Sequence, residues 1–234
     1  MSRKPRSLAV IPARSGSKRL PGKNVALFCG RPLITWTIIA ARQAKTVGRV
    51  IVSTECQNIA RTAKQAGAEV PFLRPSIYAT DDAKSISVLK HIVDTLGPEA
   101  YEFDGILLLQ PTSPLRTSDH IDRASELFFS RAPDSVISVT ESGKGEGCTG
   151  FVDSSLAMTG FPLQETQEEL GVVRQKFKLN GAIYLSEVSR LLENDTSDWG
   201  ANRLGYHMAK EESVDIDTIE EFRMAERLMK MRIN

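Results

Sequence analysis

The residues with the clearest chemical purpose crowd into one stretch near the start of the chain, Pro12-Ala-Arg-Ser-Gly-Ser-Lys-Arg-Leu-Pro-Gly-Lys-Asn24. Four cations, Arg14, Lys18, Arg19 and Lys23, are interleaved there with two glycines and two serines. Backbone N–H groups at Gly and Ser can approach an anion closely, and Lys and Arg neutralise its charge. A triphosphate requires that combination. The spacing is not that of a Walker A loop, Gly-x-x-x-x-Gly-Lys-Ser/Thr. Ser17 stands five residues before Gly22, where that motif needs Gly, and Asn24 stands in place of its Ser/Thr. The dinucleotide fingerprint Gly-x-Gly-x-x-Gly is absent as well. A solvated basic loop is the plainer alternative. The position of the stretch, directly after the first buried strand of an inferred sheet, favours phosphate binding.

A second constellation lies near the other end. Asp215 and Asp217 flank Ile216 at the end of a predicted strand. With Ile216 in the core, the two-residue period puts both carboxylates on the opposite face. Two close carboxylates suit a hard cation such as Mg²⁺, which keeps several waters and bridges phosphates. Helix capping competes for one of them. Asp217-Thr-Ile-Glu220 and Thr218-Ile-Glu-Glu221 both carry capping-box spacing. Capping accounts for Asp217 but not for Asp215. Gln110 closes a short apolar run, and a Gln ending a buried strand needs a hydrogen-bond partner. Arg116 ends a turn stiffened by Pro111 and Pro114 and is expected to anchor that loop to an acidic neighbour.

The elements that must position these groups alternate in type. Apolar or β-branched runs at 8–11, 49–53, 106–109 and 135–139 predict strands, with a weaker one at 70–73 that contains Pro71. Helical spacing recurs at Leu33, Trp36, Ile39 and Ala40, across 55–66, at Ile86, Leu89, Ile92 and Leu96, and at Ile121, Ala124 and Phe128. Further strands are predicted at 177–185 and 204–208, and a last helix carries Phe222, Ala225, Leu228 and Met229. This rhythm predicts one α/β domain over 1–234, built on a mainly parallel, doubly wound sheet with helices on both faces. Ligands then lie at the carboxyl ends of the strands. The segment 142–176 breaks the pattern. It is rich in Gly, Thr, Glu and Gln without a period, and a loop of that length points to function or to a partner-binding arm.

Composition excludes several classes. The 41% hydrophobic and 25% charged residues are ordinary for a globular domain. Lys and Arg number 30 against 29 Asp and Glu, a net charge of +1, so no global field recruits nucleic acid or a membrane surface. An anionic ligand must be held locally. Cys29, Cys56 and Cys148 are odd in number and form no Cys-x-x-Cys pair, which argues against a disulfide framework or a zinc site. The first apolar run is too short for a signal peptide, and none approaches a membrane span. The expectation is a cytoplasmic protein. His91, His120 and His207 are scattered outside any Ser or Cys motif, and no catalysis is assigned to them.

Taken together, the motifs resemble those of the CMP-sialic acid synthetases, the acylneuraminate cytidylyltransferases. The resemblance is carried by Ala13 to Lys18 and Leu20-Pro-Gly-Lys-Asn24. It continues in order through Ile51-Val-Ser-Thr54, Arg74-Pro75, Ser85-Ile-Ser87, Leu109-Gln-Pro-Thr-Ser-Pro-Leu-Arg116, Asn180-Gly-Ala-Ile-Tyr184 and Asp215-Ile-Asp-Thr218. It spans nearly the whole chain.

The resemblance implies a Rossmann-like nucleotidyltransferase fold and a reaction. CMP passes from CTP to the anomeric hydroxyl of a sialic-acid-type keto-sugar acid, and pyrophosphate leaves. It implies that Arg14 and Lys23 contact the phosphates, helped by Lys18, and that Asn24 binds the nucleotide. Arg74 approaches the cytosine end, and Ser85 and Gln110 make further nucleotide contacts. Asp215 and Asp217 hold Mg²⁺, and Asn180 faces the sugar. The segment 142–176 becomes an arm that pairs two subunits. Its sugar-side motifs depart from the family pattern. Glu141-Ser-Gly-Lys-Gly-Glu-Gly147 replaces a His-Pro-Lys-like segment, with Lys144 as the nearest substitute, and Arg174 and Lys178 are the candidates for the acceptor carboxylate. Two alternatives stand beside this reading. One is a 3-deoxy-manno-octulosonate cytidylyltransferase, which shares Arg19 to Lys23 but follows with Pro rather than Asn24. The other is a non-catalytic nucleotide-binding regulator.

Overall fold

The computed structural model describes residues 4–142, 149–161, 175–193 and 199–233. The strands are β1 (Ser7–Pro12), β2 (Leu27–Phe28), β3 (Arg31–Pro32), β4 (Val47–Ser53), β5 (Gly105–Leu108), β6 (Ser135–Glu141), β7 (Thr149–Val152), β8 (Met158–Thr159), β9 (Lys176–Ser186) and β10 (Arg203–His207). The helices are α1 (Leu33–Gln43), α2 (Gln57–Gln65), α3 (Ser85–Leu96), α4 (Ser118–Arg131), α5 (Val188–Glu193) and α6 (Ile219–Ile233).

The spine of the sheet runs β10-β6-β9-β5-β1-β4. β1 is parallel to β4 and β5, and β10 is parallel to β6. β9 lies antiparallel between β5 and β6, so it alone runs against the other spine strands. β7 and β8 add an antiparallel extension along the first half of β9. The expected layering is present, and the antiparallel insertion is the feature the alternation did not foretell. The weak strand expected at 70–73 does not form. Only Glu69 bridges to Ile51, and Pro71 has no N–H with which to extend the ladder.

β1 explains why helices cover both faces. Ala9 and Ile11 point to one side and pack with Ile34, Ile38 and Ala41 of α1 and Ile121 and Phe128 of α4. Leu8 and Val10 point to the other and pack with Leu89, Ile92 and Val93 of α3 and Val188 of α5. Each fully buried Leu or Ile contributes about 1.5–3 kcal/mol relative to exposure. Held between β4 and β5 and covered on both faces, β1 delivers the loop that follows it to one place.

A third cluster holds the far end of the chain. Phe28, Leu33 and Leu115 pack against Val214, Ile216 and Phe222. The segment 213–217 carries no regular secondary structure, which corrects the strand expected for this stretch. Its alternation is real nonetheless. Ile216 is fully buried, and its N–H donates to the Thr112 carbonyl at 2.9 Å. α6 is then opened by Thr218 and Glu221. The Glu221 N–H donates to Thr218 Oγ1 at 3.3 Å, and the Thr218 N–H donates to Glu221 Oε2 at 2.8 Å. The cap is therefore Thr218, and Asp217 is left for another task. Among the described residues, no helix is long and apolar enough to cross a membrane.

Candidate active site

The loop after β1 turns back on itself at Gly22, whose φ of 71° is left-handed and precedes a 3₁₀ turn over Lys23–Val25. That turn aims Lys23 inward. Its Nζ donates to the Ile216 carbonyl and to Asp217 Oδ1, both at 2.8 Å. Arg19 Nη1 reaches the other Asp217 oxygen at 2.7 Å. On the opposite side, Arg14 and Lys18 both pair with Asp81. Asn24 is buried, with Nδ2 donating to the Arg14 carbonyl at 2.9 Å. Its Oδ1 is buried and accepts no hydrogen bond among the described residues. That oxygen is an acceptor waiting for a donor.

These groups line a cleft of about 340 Å³ at the carboxyl end of β1 and β5. Arg14, Lys23, Asn24, Arg74, Ser85, Gln110, Asp215 and Asp217 all contribute to its wall. The cleft thus gathers nearly every nucleotide-site and metal-site residue expected from the sequence. Lys18 sits beside it, tied to the lining residue Asp81. Asp81 and Glu55 make contacts to the loop after β1 and to Arg74 that the sequence reading missed. Glu55 Oε1 accepts from the Ser15 N–H at 2.6 Å and from Ser15 Oγ at 2.8 Å, and Arg74 Nη2 donates to Glu55 Oε2 at 3.1 Å. Glu55 therefore locks the buried Arg74 to the loop after β1. Burial raises the Glu55 pKa, but the bonds from Ser15 and Arg74 outweigh it and leave the carboxyl below its ordinary value. Burial pulls the Arg74 pKa down, and Glu55 opposes this.

Asp215 and Asp217 face different conditions. Asp215 lines the cleft and is open to solvent there. Desolvation raises its pKa first of all, Asp217 adds repulsion, and Thr112 and Lys23 oppose both. Asp217 is lowered, because its bond to Lys23 and the fields of Lys23 and Arg19 outweigh desolvation. At Asp215 desolvation and repulsion prevail over Thr112 and Lys23, whereas at Asp217 the cations prevail.

Asn180 differs from expectation. It is buried, and its carboxamide is engaged inside the protein. Ser138 Oγ donates to its Oδ1 at 2.6 Å, the Ala182 N–H donates there at 3.1 Å, and Nδ2 donates to Ser213 Oγ at 2.9 Å. These bonds hold an irregularity in β9, where the pairing with β6 slips opposite Ser138. The next residue, Gly181, has φ +74°, and a Cβ there would meet Gln110 Oε1 at 2.6 Å and Asp215 Oδ2 at 3.4 Å. The missing side chain is what lets Gln110 and Asp215 close around one point. Arg116 is also corrected. It is buried without a carboxylate partner among the described residues, and its Nη1 donates to the carbonyls of Gln110 at 3.2 Å and Ala182 at 3.0 Å. Burial lowers its pKa to about 9, which leaves it charged at neutral pH. It straps the end of β5 to the β9 irregularity.

Ser85 and Gln110 also line a second pocket of about 360 Å³ beside the first. Its wall is largely apolar and includes Leu108, Ile137, Met158 and Leu179, with Lys84 and Arg203 as the charged members. Tyr184 forms part of this wall and stacks on Trp199 with ring centroids 5.1 Å apart. Lys178 sits in β9 outside the lining of both pockets, and Arg174 and Lys144 lie outside the described residues. His120 caps α4 with Thr117, consistent with a structural role. Among the described residues, no group of three or more His, Cys, Asp or Glu forms a metal cluster.

An α/β sheet with a cationic loop after its first strand and a cleft at the strand ends is the fold of the nucleotidyltransferases. Comparison with known proteins makes this specific. Residues 8–159 match the model of the family described as "Cytidylyltransferase". The chain is 37% identical to a CMP-N,N'-diacetyllegionaminic acid synthase of Legionella pneumophila, over 97% of both proteins. It is 34% identical to an N-acylneuraminate cytidylyltransferase of Escherichia coli O18:K1:H7, over 93% of this chain and 51% of that one. It therefore spans about half the length of the latter. The fold superposes with a TM-score of 0.76 on a CMP:2-keto-3-deoxy-manno-octonic acid synthetase solved with CTP, at 19% identity, over 97% of this chain and 99% of that one. The chain belongs to the cytidylyltransferase family, and within it to the CMP-sialic-acid-synthetase type.

Proposed function

We propose that the chain transfers CMP from CTP to the anomeric hydroxyl of a nonulosonic, sialic-acid-type keto-sugar acid and releases pyrophosphate. The observation that carries this is the pair of adjoining pockets joined at Ser85 and Gln110. One is walled by cations and carboxylates, the other by aromatic and aliphatic side chains. Relatives above 30% identity, named for legionaminic and N-acylneuraminic acid, support a nonulosonic acceptor over 3-deoxy-manno-octulosonate.

In this reading CTP occupies the first cleft. Arg14 and Lys23 hold the phosphates, Lys18 assists, and Asn24 Oδ1 accepts from the nucleotide. Arg74 and Ser85 read the cytosine end. Gln110, at the seam of the two pockets, contacts both nucleotide and acceptor. The acceptor hydroxyl attacks the α-phosphorus, and pyrophosphate leaves in line. The protein contributes positioning and charge neutralisation, as in phosphoryl transfer generally. Asp215 and Asp217 fit Mg²⁺ by their chemistry: two carboxylates on one wall, one of them with its pKa raised by desolvation and by the charge of the other. Bound there, Mg²⁺ would supply charge neutralisation at the α-phosphate. The apolar second pocket suits acyl substituents on the acceptor. Arg174 and Lys178 remain the proposed contacts for its carboxylate. They would be brought in by a homodimer built from part of 142–176, whose described strands β7 and β8 extend the sheet beside β9. A cytoplasmic location completes the proposal.

The nucleotide assignment is tested by turnover with CTP, UTP and ATP at a fixed acceptor. CTP is expected to exceed the others by about a hundredfold in kcat/KM, because unpaired buried donors penalise the wrong base. Equal turnover with UTP would remove the cytosine role of Arg74, Ser85 and Gln110.

A further inference from the structure

The four cations of the phosphate loop are held two and two by carboxylates from distant parts of the chain. Asp217 takes Arg19 and Lys23, and Asp81 takes Arg14 and Lys18. Asp217 belongs to the proposed metal site. Asp81 has no part in the mechanism above. It lies in the stretch between the 3₁₀ turn Ser76–Tyr78 and α3, and it lines the nucleotide cleft. Lys18 and then Arg14 hold its pKa below the ordinary carboxylate value, so it is ionised at neutral pH.

A carboxylate bridging two cations presents its oxygens much as a phosphate does. The Asp81 side chain is 37% exposed and that of Lys18 is 82% exposed, so solvent screens the pairs and they exchange readily. A phosphate that reaches Arg14 and Lys18 must therefore displace Asp81 or accept a like charge beside it. Either way the carboxylate opposes phosphate binding. As a phosphate departs, the same carboxylate recaptures the two cations.

We propose that Asp81 is an affinity-setting residue of the nucleotide site, an internal anion that competes with phosphates for Arg14 and Lys18. This limits CTP affinity and favours release of pyrophosphate. The inference rests on the phosphate-binding reading of the loop.

The test compares Asp81→Asn with Asp82→Asn, each in the full chain. Asn keeps the shape and removes the charge at an exposed position, so both variants should fold. Asp82 makes the same change in net charge next door, outside the cleft lining. In Asp81→Asn, KM for CTP and the inhibition constant of pyrophosphate should both fall, on the order of three- to tenfold, with KM for the acceptor unmoved. In Asp82→Asn both constants should stay within about twofold. An unchanged or raised CTP KM in Asp81→Asn, or an equal fall in Asp82→Asn, would overturn the proposal. Arg14→Ala separates the two levels of inference. If it leaves KM for CTP and turnover unchanged, the phosphate reading itself fails. If it impairs them while Asp81→Asn does not tighten binding, only the competition fails.

Discussion

Asp215→Asn is expected to lower turnover by a factor on the order of a hundred or more while making the protein more stable at neutral pH. The two effects share one cause. Asp215 lines the cleft, open to solvent there, and desolvation by the protein around its carboxyl raises the pKa above the unfolded value. A carboxyl with a raised folded pKa binds more protons in the native state than in the unfolded one. Its favourable contribution is present at acid pH, below the unfolded pKa. It is lost as pH rises through the folded pKa. At neutral pH the charge is a standing cost that a bound cation would offset. Asn removes the charge and the cost, and with them most affinity for a hard cation. Melting temperatures at neutral and acid pH, with Mg²⁺ titrations of pyrophosphate release, check both halves. The gain in Tm should vanish at acid pH. Unchanged Mg²⁺ dependence of the variant would remove Asp215 from the metal site. Asp217→Asn should lose activity without losing the start of α6, since Thr218 and Glu221 make the cap.

Lys23→Ala is expected to cost turnover on a similar scale, about a hundredfold or more, by removing a cation aimed at the leaving group. The geometry adds a stability effect that the loop's composition does not suggest. The Lys23 side chain is only 12% exposed and ties the phosphate loop to both the Ile216 carbonyl and Asp217. Losing those bonds should cost about 1 kcal/mol, reduced by screening at the half-exposed Asp217. Urea unfolding measures that part, and kcat/KM the other. Lys23→Arg should recover part of the activity. Near-normal turnover in Lys23→Ala would contradict the phosphate role.

Both variants act at positions that the sequence made visible, and the reason is local. Gly, Ser and four cations directly after a buried strand leave few other purposes for the loop. The alternation of Asp215, Ile216 and Asp217 predicted that Ile216 is buried and the two carboxylates are not, even though no strand forms there. What the sequence hid depends on long-range pairing. Asp81 meets Arg14 across 67 residues, and Glu55 meets Ser15 across 40. Each looks like an ordinary surface carboxylate until the fold brings it to the loop. The usable signal was a surplus of cations on one short loop, which called for nearby anions when no ligand is bound. Asn180 and Arg116 were misplaced for a related reason. A polar residue near a motif can face the ligand or brace the backbone, and only the antiparallel insertion of β9 decides between them. Once β9 lies between β5 and β6, the β9 irregularity requires internal hydrogen bonds, and these residues supply them.

The most direct measurement is pyrophosphate release by the full chain with CTP and Mg²⁺ against a panel of acceptors, with the product identified by mass spectrometry. The panel should include N-acetylneuraminic acid, a diacetylated nonulosonic acid and 3-deoxy-manno-octulosonate. The account predicts a CMP-linked nonulosonate, formed in step with pyrophosphate, at least about tenfold faster than any product from 3-deoxy-manno-octulosonate. Turnover of 3-deoxy-manno-octulosonate alone, or CTP binding without turnover of any keto acid, would contradict it.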